Sequence, residues 1–223
     1  MGALPDTFEL VQASAPDSEV SIIIDSGWLV VLDEVTDVTY ECTMASDCSI
    51  RAFADTLIDI WEATLPAACT DTRSADEVWQ CFYGKHVWPT LSDTVRERTY
   101  IAQFQYDPIN LGENGLAHEP ETDEEAEYAA EIAQLTIEEL TAANVSGFFS
   151  PACYRKTGMV NSEGWSSNEI DEVALHAAHL DWTTQVAAGS VVGTQLSDAC
   201  GSDSLEDVMC NPTCPADIDP PPT

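Results

Sequence analysis

A chain of 223 residues, 44% of them apolar and with six each of Trp, Tyr and Phe, has enough material to fill one core. Forty acidic residues against seven basic ones leave a formal charge of −33, which repels nucleic acid and anionic membranes over the whole surface and excludes both as partners. Such a shell suits high ionic strength, where screening shortens self-repulsion. Its carboxylates are spread along the chain and not spaced as ligands, so neither a metal nor a cofactor is expected.

In chain order, Glu19 to Ile24 is a β-branched run that reads as a buried strand, ending at the turn Asp25-Ser26-Gly27. Ser49 can cap a helix in which Ile50, Phe53, Leu57, Ile60 and Trp61 recur at helical spacing. Ala75 to Phe82 reads as a helical turn stopped by Gly84, and Tyr100 to Gln105 as a second strand closed by Asp107-Pro108. A long helix is expected from Thr122 to Ala143, with Thr122 as its cap and Glu124 and Glu125 in the first turn, where the helix dipole favours negative charge. Phe148 to Ala152 supplies a third strand, and Ser167 caps a last helix over Asn168 to Val186. Residues 1–214 are expected to form one domain, and the acidic, Pro-rich tail 215–223 to be disordered. Strands alternating with long helices indicate an α/β layered fold.

The eight cysteines are Cys42, Cys48, Cys69, Cys81, Cys153, Cys200, Cys210 and Cys214. An even count with close pairs points to disulfides made in a secretory or extracellular compartment, and the C-x2-C pairs that zinc would need are absent. Asn144-Val145-Ser146 is an N-glycosylation sequon. No run reaches the length of a membrane span. Met1 to Asp6 has neither the basic start nor the apolar stretch of a signal peptide, so the expectation is a secreted protein whose signal peptide lies upstream of Met1.

Four segments carry a resemblance: Asp25-Ser26-Gly27-Trp28, the run Trp79 to Leu91, Ser150-Pro151-Ala152-Cys153, and the tail Cys210-Asn211-Pro212-Thr213-Cys214-Pro215. Together they resemble the Notum and pectin acetylesterase family of extracellular serine carboxylesterases, from just after the nucleophile to the C-terminus. The resemblance implies the C-terminal part of a disulfide-stabilised α/β-hydrolase. It also implies deacylation of an acylated polysaccharide or a lipidated protein, without a cofactor, by a chain that is monomeric.

A serine esterase needs a nucleophilic Ser, an imidazole to take its proton and a carboxylate to orient the imidazole. The nucleophile belongs in G-x-S-x-G, because only small flanking residues permit the strained elbow. That pattern occurs nowhere in these 223 residues. Ser26 lacks the first glycine, and the resemblance places its segment in a pocket wall. Asp107 stands where the family carries its triad acid; read without the family, Asp107-Pro108 opens a turn. The family histidine falls at Lys156, and an ammonium does not accept a proton at neutral pH unless burial depresses its pKa strongly. With the upstream half restored, Lys156 is expected to face the pocket beside Asp107, which would hold it protonated. His86, His118, His176 and His179 match no family position. By the same resemblance Trp28, Leu29, Phe82, Tyr83 and Ile109 enclose the acyl group, although aromatic residues at Phe82 and Tyr83 serve a core equally well. The matched segments further imply bridges Cys42–Cys48 and Cys69–Cys81, with the order among Cys153, Cys200, Cys210 and Cys214 open. Thus the chain is expected to be a carboxylic ester hydrolase family member that is inactive alone. The alternative is a non-enzymatic secreted binding protein on the same scaffold; a third reading, a salt-adapted acidic surface protein, rests on charge only.

Overall fold

The computed structural model describes residues 4–15, 19–32, 58, 64–116, 118–156, 162–190, 192–202 and 204–214. An N-terminal helix α1 (Leu4–Ser14) precedes strand β1 (Ile22–Asp25). Short helical pieces follow: α2 (Ala67–Thr70), a 3-10 turn (Val78–Phe82), α3 (Gly84–Val87), a second 3-10 turn (Trp88–Thr90) and α4 (Asp93–Glu97). Strand β2 (Thr99–Ala102), helix α5 (Pro108–Glu113), the long helix α6 (Asp123–Ala142) and strand β3 (Gly147–Ser150) come next. The chain closes with α7 (Ser162–Ser167), the two-residue strands β4 (Glu169–Ile170) and β5 (Val173–Ala174), α8 (Leu175–Ala187) and β6 (Gln195–Ser197).

β1, β2, β3 and β6 form one parallel sheet in that order. Its inner strands are covered on both faces, which is why they read as apolar runs, whereas β6 at the edge is Gln-Leu-Ser with no buried residue. Alternate residues serve opposite layers: Ile24, Ile101 and Phe148 join the core beneath α6, with Ala126, Ala129, Ile132 and Ala133. Tyr100, Ala102 and Phe149 join a second core beneath α8, with Leu175, Ala178 and Trp182. This alternation is the period of two that a pleated strand imposes. The contact with α8 is close at Gly147, where an added Cβ would sit 2.3 Å from Trp182 Cδ1. Even an alanine there would drive the helix off the sheet.

The expected α/β architecture is present, and the helix predicted over 122–143 is observed with a complete capping box. Glu125 N–H donates to Thr122 Oγ1 at 3.2 Å, and Thr122 N–H donates back to Glu125 Oε2 at 3.2 Å. Thr122→Ala should therefore lower stability by about 1 kcal/mol, read as a shifted urea midpoint at unchanged slope.

Two expectations are corrected. Gly84 does not end a helix; it opens α3, and its lack of a side chain is required because an added Cβ would lie 2.6 Å from the Trp28 ring. The helix expected over 168–186 begins only at Leu175, because Asp171 and Glu172 both adopt positive φ (51° and 66°) and fold Ile170 back onto Val173 as a hairpin. Two central residues with φ above zero are what a tight hairpin turn requires. The helix expected behind Ser49, the pair Cys42 and Cys48, and the tail 215–223 lie outside the described residues, apart from a helical Ile58.

The expected Cys69–Cys81 bridge is present, and the four remaining described cysteines pair as Cys153–Cys214 and Cys200–Cys210.

Candidate active site

β2 ends at Ala102, and the next five residues carry the chain across the C-terminal edge of the sheet, where parallel α/β sheets place their ligands. Gln103 N–H donates to Phe149 O and Gln105 N–H to Pro151 O. These two bonds continue the β2–β3 pairing and deliver Asp107, fully buried, to the start of α5. Asp107 Oδ1 accepts from Ile109 N–H at 2.8 Å and caps the helix, while Oδ2 accepts from Gln103 Nε2 at 3.2 Å. Burial pushes the carboxyl up to about 7, against the lowering influence of Ile109 N–H, Gln103, Asn110 N–H and, least of all, the Lys156 charge.

Lys156 is thus close enough for its charge to act on Asp107, but it is exposed. Its backbone is led there from β3 by a fixed anchor: Ala152 N–H donates to Asp198 Oδ2 at 2.8 Å, and Cys153 is bridged to Cys214. Among the described residues Asp107 makes no ion pair with Lys156; its oxygens accept from the helix cap and from Gln103, and the closer approach of Lys156 is expected of the chain with its upstream half.

A ladder of side-chain amides, which the sequence reading missed, holds the segment 28–32 against α5. Gln103 Oε1 accepts from Trp28 N–H at 2.9 Å, Asn110 Oδ1 from Val30 N–H at 3.0 Å, and Asn114 Oδ1 from Leu32 N–H at 3.0 Å. Asn114 also donates to Val30 O at 3.0 Å. Alternate backbone groups of an extended segment are thereby satisfied by side chains where a neighbouring strand would otherwise do it. Asn110 and Asn114 are one helical turn apart, but with Glu113 beside them they look in the sequence like an exposed polar face.

The residues expected around the acyl group divide into two sets. Trp28 points into the main core, its ring 5.6 Å from that of Trp88 in an edge-on contact. Leu29 and Phe82 are half-buried and pack on the buried Tyr83 together with Trp79 and Val31. Ile109 is half-buried on the first turn of α5. Ser26 follows β1 with φ 55° and a buried hydroxyl that has no hydrogen-bond partner among the described residues. It is followed by an extended segment and not by a helix, so it does not form a nucleophile elbow.

The histidine contacts lead elsewhere. His86 Nδ1 meets Arg73 at 3.1 Å, His118 approaches Glu125 at 3.6 Å, and His176 meets Trp165 O at 3.2 Å. His179 is stacked among Tyr100, Trp165 and Trp182, and burial lowers its pKa. Among the described residues no group of three or more His, Cys, Asp or Glu side chains is placed to hold a metal ion.

No protein-family model matches the chain. It is 26% identical over 219 residues to the palmitoleoyl-protein carboxylesterase notum2 of Xenopus laevis, covering 94% of this chain and 42% of that protein. It is 24% identical over 214 residues to the palmitoleoyl-protein carboxylesterase NOTUM of Homo sapiens, covering 93% of this chain and 41% of the other. The structure of the Wnt deacylase Notum from Drosophila superposes with a TM-score of 0.68 at 22% identity, over 96% of this chain and 55% of that one. These likenesses bear out the resemblance to the Notum and pectin acetylesterase family, and the structural match bears out the α/β-hydrolase fold. The relatives are carboxylic ester hydrolases, and the chain spans about two fifths of the length of the curated ones.

Proposed function

We propose that this chain carries the acid-bearing part of a serine carboxylesterase centre that deacylates a polysaccharide or a lipidated protein, and that by itself it turns over no ester. The observation that carries this reading is Asp107: a fully buried carboxylate at the C-terminal edge of a parallel sheet, fixed by a helix cap and by Gln103. A triad acid must be a buried, oriented carboxylate of this kind, because its task is to hold an imidazole in one tautomer. The silence of the isolated chain follows from the absence of G-x-S-x-G and from Lys156 at the histidine position. The bridges among the described cysteines and the exposed Asn144 support secretion and glycosylation of a monomer whose folded unit is residues 1–214.

A second reading, a secreted binding protein on the same scaffold, is favoured by one observation: the Lys156 charge already acts on the carboxyl that a histidine would use.

The purified chain should hydrolyse nitrophenyl acetate no faster than a heat-killed control; turnover that Asp107→Ala abolishes would contradict the proposal. In a chain joined to a G-x-S-x-G segment of a relative, Lys156→His should raise turnover while Lys156→Ala should not. No gain from Lys156→His would favour the binding reading, and activity that depends instead on His176 or His179 would place the base elsewhere.

A further inference from the structure

Gln103 is fully buried at the end of β2, and every polar atom it carries has a partner. Its backbone is held to β3 from both sides: the N–H donates to Phe149 O at 3.0 Å, and the carbonyl accepts from Ser150 Oγ at 2.7 Å. From that fixed base the side chain reaches two other parts of the fold. Oε1 accepts from Trp28 N–H at 2.9 Å, while Nε2 donates to Asp107 Oδ2 at 3.2 Å and to Phe104 O at 3.3 Å.

The orientation of this amide follows from its partners. Turned over, Nε2 would face the Trp28 N–H and Oε1 would face a carboxylate and a carbonyl, so three attractive contacts would become repulsive. Gln103 therefore presents a donor to Asp107 because it presents an acceptor to Trp28. With Ile109 N–H on Oδ1, the Gln103 donor on Oδ2 fixes the plane of the carboxyl by two groups from separate elements. Asn110 and Asn114 hold the same segment further along, at Val30 and Leu32, but it is the Gln103 side chain that reaches the acid.

We infer that Gln103 is a positioning residue for Asp107: it holds the carboxylate by one oxygen and locks the segment 28–32 to the same amide, so that the acid and the backbone at Trp28 are seated together. What this positioning serves rests on the proposed reading of Asp107 as a triad acid; the geometry of the amide stands without it. A triad acid has to be ionised and held in one plane to orient an imidazole. A buried carboxyl resists ionisation, and a hydrogen bond donated to its charged form works against that resistance. Gln103 supplies such a bond from a group that does not itself titrate.

The other groups that act on Asp107 come from the elements around it. Burial raises its pKa, and Ile109 N–H and Asn110 N–H on α5 and the Lys156 charge oppose burial alongside Gln103. Glu113, at the last position of α5, is only 5% exposed, and neither of its carboxyl oxygens has a hydrogen-bond partner among the described residues. Burial, reinforced by the Asp107 charge, pushes Glu113 up to about 8. Burial also raises the Tyr154 hydroxyl, and the Glu119 and Asp107 charges add to it.

The test is an NMR titration of the whole chain, isotope-labelled at the aspartate carboxyl carbons, with the Asp107 resonance identified by its loss in Asp107→Asn. In the native chain the side-chain amide protons of Gln103 and the backbone amide of Trp28 should shift with the same midpoint as Asp107, about 7, and lose that response in Asp107→Asn. Repeating the titration in Glu113→Gln removes the neighbour's own step near 8. Gln103→Glu keeps an acceptor for Trp28 N–H and replaces the donor, whereas Gln103→Leu loses both. Each should raise the Asp107 midpoint by about one pH unit or more, which is about a tenfold loss for the ionised form. Protection of the Trp28 amide from hydrogen exchange should survive in Gln103→Glu and fall in Gln103→Leu. An unchanged Asp107 midpoint in Gln103→Glu, or Gln103 amide protons in the native chain that ignore the Asp107 titration, would overturn the inference and leave Gln103 a packing residue. If a variant fails to fold, the native titration decides. None of these readouts involves ester hydrolysis, so an inactive chain leaves the result standing, and a negative result leaves the proposed function to its own test.

Discussion

Replacing Cys153 and Cys214 together by alanine is expected to lower the unfolding free energy by about 4 kcal/mol, more than loss of either other described bridge. The bridge joins residues 61 apart, against 12 for Cys69–Cys81 and 10 for Cys200–Cys210. Closing the longer loop removes more freedom from the unfolded chain, and the same chain-entropy argument gives about 3 kcal/mol for each short loop. The bridge also holds polar contacts that bind the tail to the sheet edge. Asn211 Nδ2 donates to Glu169 O at 2.8 Å and to Asp198 Oδ2 at 2.6 Å, and Glu169 N–H donates to Thr213 Oγ1 at 2.8 Å. Asp198 in turn receives Ala152 N–H, so the consequence runs back to the residues that lead to Lys156. Urea unfolding of the three double-alanine variants under non-reducing conditions checks the order, and a smaller loss for Cys153/Cys214 than for the short bridges would refute it.

Three of the four strands of the sheet were legible because both faces are covered there: Ile22 to Ile24, Tyr100 to Ala102 and Phe148 to Phe149 are runs with no polar residue inside, while the edge strand Gln195–Ser197, polar on either side of Leu196, was missed. The long helix was legible because its cap, Thr122 and Glu125, is a local signal that tertiary contacts reinforce. Gly84 shows where such reading stops. A glycine after a helical turn is usually a local stop, yet here it is demanded by a ring 56 positions away in sequence, and nothing near residue 84 encodes the approach of Trp28. The hairpin at Asp171-Glu172 escaped notice for the opposite reason. Its two central residues take positive φ without a glycine or asparagine to announce it.

The acid position was readable only through the resemblance, since Asp before Pro is equally a turn signal. The turn reading is met, because Asp107 caps the helix that Pro108 opens, with Gln103 donating to the same carboxylate; the role of triad acid is the proposal made above. The amide ladder of Gln103, Asn110 and Asn114 and the orphaned Glu113 could not be read beforehand. A buried amide or carboxyl looks like a surface residue until its environment is known.

Stability should fall as pH rises from about 4 to about 8, and Glu113→Gln should flatten the upper part of that fall. Burial raises the folded-state pKa of both carboxyls, Asp107 from 3.8 to about 7 and Glu113 from 4.5 to about 8. Between the unfolded and folded values the native state binds a proton that the unfolded state does not, so unfolding becomes easier with each step up in pH. Below the unfolded values both states are protonated and no difference remains; above the folded values both are ionised and the full destabilisation is in place. Glutamine at 113 removes one of the two groups, so at pH 8 the variant should be more stable than the native chain by on the order of 3 kcal/mol, and near pH 4 the two should agree. Ionisation of the acidic surface acts in the same direction over the lower part of this range, but it is common to both proteins and is reduced by salt. Urea midpoints for both proteins across this range, at one high salt concentration, decide the matter: parallel curves would show that Glu113 is ionised in the native protein at every pH tested, with a partner of its own.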